Sequence, residues 1–155
     1  MVKDRTMATA NDSPFREQLE LAREGKHPRH IADLKRTSVF LSENQGFPGW
    51  CVLIYKTPVM HLSDLSLDEQ MSLFREVALV AGAIRARFAP TRINYECLCN
   101  QVQHLHWHVI PRYGTDPDPT KPVWGFPPEV LRGPHPQPPE VTQNSIISLR
   151  SALGK

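Results

Sequence analysis

The stretch His104-Leu105-His106-Trp107-His108-Val109-Ile110 decides how this chain is read. Three of the chain's seven histidines alternate here with large apolar residues. Alternation of period two marks a half-buried strand, so the three imidazoles leave one face while Leu105, Trp107 and Val109 leave the other for a core. Same-face residues lie roughly 6.5 to 7 Å apart, enough to span a small anionic group and its two flanking bonds. Imidazole, with an unperturbed pKa of about 6.5, serves near neutrality as nucleophile, acid, base or hydrogen-bond donor. A single strand histidine is ordinarily satisfied by a carbonyl or by water; three in a row point to chemistry. The pattern leaves two kinds open, a metal site and a phosphate-directed nucleophile.

Outward from the triad the chain reads as alternating strands and helices. Ser13-Pro14 marks a helix entry, with Ser13 as N-cap and Pro14 at the first helical position. Phe15, Leu19 and Ala22 follow at helical spacing, and Gly25 is the stop. Residues 30–43 read as one strand centred on Thr37–Leu41. Asn44 to Gly49 form a turn, and Trp50 to Tyr55 the next strand, paired antiparallel with the first. Ser66-Leu67-Asp68-Glu69 is a capping box. Leu67, Met71, Phe74, Ala78, Ala81 and Ile84 then form a stripe, expected to face the core of a long helix closing near Phe88. Ile93 to Leu98 and Gln103 to Pro111 complete an antiparallel sheet. The fold class is therefore α+β, with the long helix packed on the sheet.

Residues 114–140 hold nine of the fifteen prolines. Such a segment runs extended over its own domain, with Trp124 and Phe126 as its anchors. Ile146 to Leu153 would finish as a short helix. The chain divides into a disordered tail (1–13, with Met7 an alternative start), a domain (14–113) and a Pro-rich C-terminal extension (114–155) packed on it.

His104–Ile110 resembles the His-φ-His-φ-His-φ-φ signature of the histidine-triad (HIT) superfamily of nucleotide hydrolases and transferases. Pro111-Arg112 after the triad, Asn100-Gln101-Val102 before it, and Phe47-Pro48-Gly49-Trp50-Cys51-Val52-Leu53 upstream extend the resemblance from about residue 35 to Tyr113. The variant Asn94-Tyr95-Glu96 with Asn100 to His108 looks most like bacterial proteins of the fragile-histidine-triad and diadenosine polyphosphate hydrolase branch.

The resemblance implies a HIT-like fold and a covalent mechanism. His106 would attack an α-phosphorus, giving a nucleotidyl-His106 intermediate that water resolves, with release of AMP. His108 would hydrogen-bond the phosphate, and His104 would support the loop and the leaving-group side. Asn100 and Gln101 would donate to phosphate oxygens, Ser42 would reach the ribose or base, and Trp124 would stack on a base. The substrate class is a dinucleoside polyphosphate, such as diadenosine tetraphosphate, or another adenylylated compound. No cofactor is obligatory, although Mg²⁺ could accompany the polyphosphate, and the resemblance implies a homodimer. Phosphorolysis, phosphoramidase activity, a slow nucleotide-binding regulatory module and a metal hydrolase with three imidazole ligands stand as alternatives.

Two departures from the family pattern bear on substrate choice. Pro48-Gly49 is followed by Trp50 where the fragile-histidine-triad pattern has histidine, and indole donates one hydrogen bond but accepts none through its N–H. The loop from Cys97 to His104 is shorter than in dinucleoside triphosphate hydrolases. Related bacterial proteins often carry a zinc-binding Cys-x-x-Cys near residue 27. Here only His27 and His30 remain, read as surface residues.

Composition agrees. A net charge of +2 with dispersed Lys and Arg argues against a nucleic-acid partner. No apolar run reaches the ~20 residues of a membrane-spanning helix, and no signal-peptide segment opens the chain. Three cysteines make no disulfide framework, which fits a reducing cytoplasm.

Overall fold

The computed structural model describes residues 13–155. The tail expected over residues 1–13 and the start at Met7 fall outside that range, save for Ser13. Element order is α1 (Arg16–Arg23), β1 (His30–Asp33), β2 (Thr37–Leu41), β3 (Cys51–Tyr55), α2 (Leu67–Phe88), β4 (Arg92–Glu96), β5 (His106–Arg112), α3 (Pro128–Arg132) and α4 (Pro139–Ala152). The five strands form one antiparallel sheet ordered β1-β2-β3-β5-β4. This is the α+β arrangement that the alternation and the capping box imply.

Strand β5 lies inside the sheet between β3 and β4 and starts at His106. Of the three imidazoles expected on one strand face, only His106 and His108 are therefore on the strand, His104 lying in the bend ahead of it. Val52 pairs with His108 and Ile54 with His106 on β3, while Glu96 pairs with His108 on β4. Leu105 and Val109 are buried against Leu73, Val77 and Ile84 of α2. The opposite face carries His106 and His108, with α1 laid over its β2–β3 end through Leu19, Ala22, Phe40 and Ile54.

Helix α2 begins and ends where its caps dictate. The Ser66 hydroxyl accepts from the Glu69 amide, the Glu69 carboxylate accepts from the Ser66 amide, and Ala89 closes the helix in the left-handed region. Its buried face differs from the expected stripe. Leu67, Met71 and Phe74 are 70%, 47% and 46% exposed, and the core side is Leu73, Val77, Val80, Ala81 and Ile84. Apolar residues surround much of this helix, so steps of three and four fit two stripes equally well. Only Ala81 and Ile84 belong to both.

Three further expectations are corrected. The strand read over 30–43 is a hairpin, broken at Leu34 to Arg36. Its turn is held by the buried Glu76 carboxylate, which accepts from the Arg36 and Thr37 amides and the Thr37 hydroxyl. Helix α1 starts at Arg16, and Ser13 lies three residues ahead of it, its hydroxyl turned to the triad. The terminal helix is longer than expected: prolines at its start suit a first turn whose amides lack intrahelical partners, so α4 begins at Pro139.

The Pro-rich segment does wrap its own domain. Val123 is fully buried with Phe47, Trp50 and Ile110, and Phe126, Val130 and Leu131 pack around them. Arg112 fixes the entry to the wrap. Its guanidinium meets the Asp116 carboxylate at 2.7 Å, donates to Asn94 and to the Asp118 carbonyl, and lies over the Phe47 ring. At the far end the Gly46 amide donates to the Leu131 carbonyl. A Cβ on Gly46 would stand 1.8 Å from the Val130 carbonyl oxygen, so only glycine admits α3 there. On the open edge of the sheet, Arg150 of α4 donates to the carbonyls of His30 and Ile31, covering β1.

Candidate active site

A cavity of about 640 Å³ opens on the histidine face of the sheet. Val52, Ile54, His106 and His108 form its floor, the loop Leu98–Val102 one wall, and Phe15, Arg29, Ser42 and Trp124 others. Its size suits a nucleotide-sized ligand.

Each triad histidine has a different set of partners. His106 Nδ1 lies 2.6 Å from the His104 carbonyl. A carbonyl only accepts, so Nδ1 carries the proton and Nε2 keeps its lone pair. Nε2 has no partner among the described residues and is not sealed from solvent. The arrangement thus aims a free imidazole lone pair into the cavity. Burial pushes the His106 pKa down. The Cys99 sulfur, 3.6 Å from Nδ1, and the His104 carbonyl more than offset this and leave it raised.

His108 is set the opposite way. Its Nδ1 accepts a hydrogen bond from the Trp50 indole N–H at 3.2 Å, so the proton of the neutral ring sits on Nε2. Burial, then the neighbouring His106, push its pKa down to about 4. His108 is therefore a neutral donor beside a nucleophilic lone pair, with ring centroids 5.2 Å apart. Trp50 thus uses its one N–H to fix the His108 tautomer.

His104 stands apart from the cavity lining. It is 1% exposed; Nε2–H donates to the Tyr55 carbonyl at 2.6 Å, and Nδ1 accepts from the Ser13 hydroxyl at 2.5 Å. With both nitrogens engaged it offers no lone pair to a metal or substrate. Its backbone carbonyl orients His106, and its side chain does not line the cavity. Among the described residues, no three His, Cys, Asp or Glu side chains are placed to hold a metal ion.

Asn100, Gln101, Ser42 and Trp124 all border the cavity. The Ser42 hydroxyl accepts from the Asn44 amide while its carbonyl takes bonds from Arg29 and Gln45. Trp124 donates to the Glu96 carboxylate and stands edge-on to His108 and Trp50 at 5.3 and 5.4 Å. Its rim position follows from the wrap anchored at Val123. His27 is not a surface residue: half-buried, it stacks edge-on against Phe40 at 4.8 Å and borders the cavity. His30 is half-buried beside Asp33.

Phe15, Arg29 and Cys99 were not singled out from sequence as site residues. Phe15 stands edge-on to His106 at 5.1 Å and to His104 at 5.5 Å. Its helical spacing with Leu19 concealed a second contact that only the docking of α1 creates. The Cys-x-Cys spacing ahead of the triad was the available signal for Cys99.

A strand with an imidazole lone pair and a neutral imidazole donor, backed by a carbonyl just ahead of it, is the arrangement of a histidine-triad site. The chain belongs to the HIT family: the family model for the HIT domain matches residues 25–115. It is 32% identical over 72 residues to bis(5'-adenosyl)-triphosphatase of Saccharomyces cerevisiae, covering 43% of this chain and 35% of that protein. It is also 32% identical over 80 residues to Protein hit of Bacillus subtilis, covering 48% of this chain and 55% of that one. The matches thus span about a third and about half of those relatives. Among solved structures, a histidine triad protein of Bradyrhizobium japonicum aligns with a TM-score of 0.71 at 28% identity, over 80% of this chain and 89% of that one. One from Sinorhizobium meliloti aligns with a TM-score of 0.72 at 26% identity, over 92% and 98%.

Proposed function

We propose that the protein hydrolyses dinucleoside polyphosphates, diadenosine tetraphosphate among them, or other adenylylated compounds, through a nucleotidyl-His106 intermediate. What carries this reading is the His106 ring, whose Nδ1–H is committed to the His104 carbonyl while Nε2 is left bare toward the cavity.

In the proposed reaction Nε2 of His106 attacks the α-phosphorus and forms a P–N bond. The α-phosphorus–oxygen bond of the anhydride breaks, and the remaining nucleotide leaves as its anion with the bonding electron pair. Positive charge gathers on the imidazole as Nε2 bonds, and the His104 carbonyl at Nδ1–H accommodates it. His108 donates its Nε2–H to a non-bridging phosphate oxygen, favouring the charge that develops there. Asn100 and Gln101 donate to the same phosphate, and Ser42 and Trp124 face the nucleoside. Water then breaks the P–N bond and releases AMP. Splitting one displacement into two lowers each barrier. Mg²⁺ enters only with the substrate, screening its phosphates.

Incubation with diadenosine tetraphosphate, with and without inorganic phosphate, tests the acceptor. AMP plus ATP in both supports hydrolysis. ADP appearing only with phosphate moves the protein to phosphorolysis. Nucleotide binding without product moves it to a regulatory module.

The same reading takes the protein as a homodimer in a reducing cytoplasm. Supporting the dimer are Leu67, Met71 and Phe74 on one exposed face of α2, with Phe74 edge-on to Trp107. Strand β4 also ends the sheet with one edge unpaired. Sedimentation of the protein and of Phe74→Glu checks it: the first runs as a dimer and the second as a monomer. The three free thiols support the compartment. No helix among the described residues is long and apolar enough to cross a membrane.

A further inference from the structure

The chain turns sharply after β4, and the turn brings together two sulfurs that the proposed reaction does not use. Cys99 adopts φ +51°, a left-handed conformation that L side chains seldom occupy without a local reason. Its Sγ lies 3.8 Å from Sγ of Cys97. A disulfide needs about 2.05 Å, so closure asks for a movement of about 2 Å. Both cysteines are partly exposed, and both border a second cavity of about 400 Å³ on the side of Trp107 and Met60. Cys99 also borders the nucleotide cavity. Leu98 between them is 50% exposed, leaving the pair open to a reductant.

We propose that Cys97 and Cys99 are a reversible thiol–disulfide pair, oxidised by a hydroperoxide, whose closure turns off the neighbouring His106. The Cys99 thiolate attacks the peroxide, forming an S–O bond while the O–O bond breaks and hydroxide or alkoxide leaves. Cys97 then attacks the Cys99 sulfenic sulfur. An S–S bond forms, the S–O bond breaks, and the departing hydroxide takes the Cys97 proton as water. Two electrons pass from the thiols to the peroxide, and an external dithiol returns them.

The order of the two cysteines follows from their surroundings. The Cys99 sulfur has the Cys97 thiol at 3.8 Å and Nδ1 of His106 at 3.6 Å. Together they hold Cys99 well below the usual thiol range and push Cys97 above it. Thiolate character selects the residue that peroxide attacks first. Cys51, fully buried and pushed up by desolvation, is an internal control that should stay reduced. A disulfide across a single intervening residue is strained, and strained, exposed disulfides are the easily reduced, regulatory kind.

Closure would act on the site in two ways. It draws the Cys99 sulfur away from Nδ1 of His106, removing the contact that raises that imidazole's basicity. It also changes the backbone immediately ahead of Asn100 and Gln101. This second half rests on His106 being the nucleophile; the disulfide itself does not.

The test treats the reduced, full-length protein with hydrogen peroxide at pH 7 and follows intact mass and peptide maps. The expected result is loss of two hydrogens, a Cys97–Cys99 link and an unmodified Cys51. Cys97→Ser should stop at one added oxygen on Cys99, trapped by dimedone, and Cys99→Ser should gain neither change. Both thiols staying free, or the first oxygen landing on Cys97, would overturn the pair. Nucleotidyl-His106 formation should fall roughly a hundredfold on oxidation, the cost of misplacing a reacting group by about 1 Å, and return with dithiothreitol. An unchanged rate in protein shown to be oxidised would overturn the switch. Absence of the adduct in reduced protein would instead fault the nucleotidyl-transfer reading, leaving the thiol chemistry measurable on its own.

Discussion

The Trp50 indole N–H donates to Nδ1 of His108 across 3.2 Å, and this one bond sets which nitrogen of His108 faces the cavity as a donor. Trp50→Phe keeps an aromatic ring in the cluster with Phe47 and Val123 but leaves Nδ1 without its donor. One neutral hydrogen bond contributes about 1 kcal/mol, so the turnover rate should fall about five- to tenfold. Steady-state kinetics beside a thermal melt checks this. A rate that falls only in proportion to lost folded protein would contradict it.

Ser13 acts through His104. Its hydroxyl is the partner of a buried Nδ1, and Ser13→Ala strands that nitrogen. Leaving a buried acceptor unpaired costs about 1–3 kcal/mol. The melting temperature should drop, and the rate with it, because the His104 carbonyl orients His106. Ser13→Thr, which restores a hydroxyl, should recover most of both.

The acid limb of the rate profile should report His106. Attack needs the deprotonated Nε2, so the rate rises as pH passes upward through the His106 pKa. That pKa is raised above 6.5 by Cys99 and the His104 carbonyl against the effect of burial. Cys99→Ser removes the sulfur that raises it, lowers the pKa and moves the acid limb to lower pH. A limb that stays in place, or moves up, would contradict the pairing.

Stability should fall as pH drops below neutrality. Burial first, then a neighbouring charge, holds His108 at about 4 in the fold against 6.5 unfolded. Burial also lowers His104, His27 and His30. The unfolded chain therefore binds more protons between about pH 6.5 and 4, and the stability present above 6.5 is lost across that window. His106, shifted upward, opposes this by favouring the fold below 6.5. His108 alone accounts for up to about 3 kcal/mol. Urea midpoints at pH 7.5, 6 and 5 should decline in that order.

Gly46→Ala should loosen the wrap. The added carbon would sit 1.8 Å from the Val130 carbonyl, so α3 must move away and the Gly46–Leu131 bond must break. Overpacking of this kind costs about 1–3 kcal/mol. Trp124 fluorescence should become more solvent-exposed.

Periodicity located the strands and the long helix because these obey local rules. Ser66 and Glu69 bracket one end of α2, and the alternation of His104 to Val109 needs only a core on one side. Which face of α2 is buried was hidden, since Leu67, Met71 and Phe74 are as apolar as Leu73 and Val77. The Leu34–Arg36 turn was hidden too, because its support, Glu76, lies some forty residues away. In the site, His106, His108, Asn100 and Gln101 are close in sequence and could be read together. Phe15 and Arg29 reach the same cavity, and Ser13 reaches His104 beside it, only through the way α1 and the chain leading into β1 lie against the sheet, which no spacing encodes.

Covalent attack by His106 leaves a signature in mass. The protein is mixed with diadenosine tetraphosphate and quenched at alkaline pH, where a P–N bond survives, and its intact mass is followed over time. A transient gain of one adenylyl group is expected, mapped to His106, decaying as AMP appears and absent from His106→Ala. AMP release with no adduct at any time, or turnover persisting in His106→Ala, would contradict it.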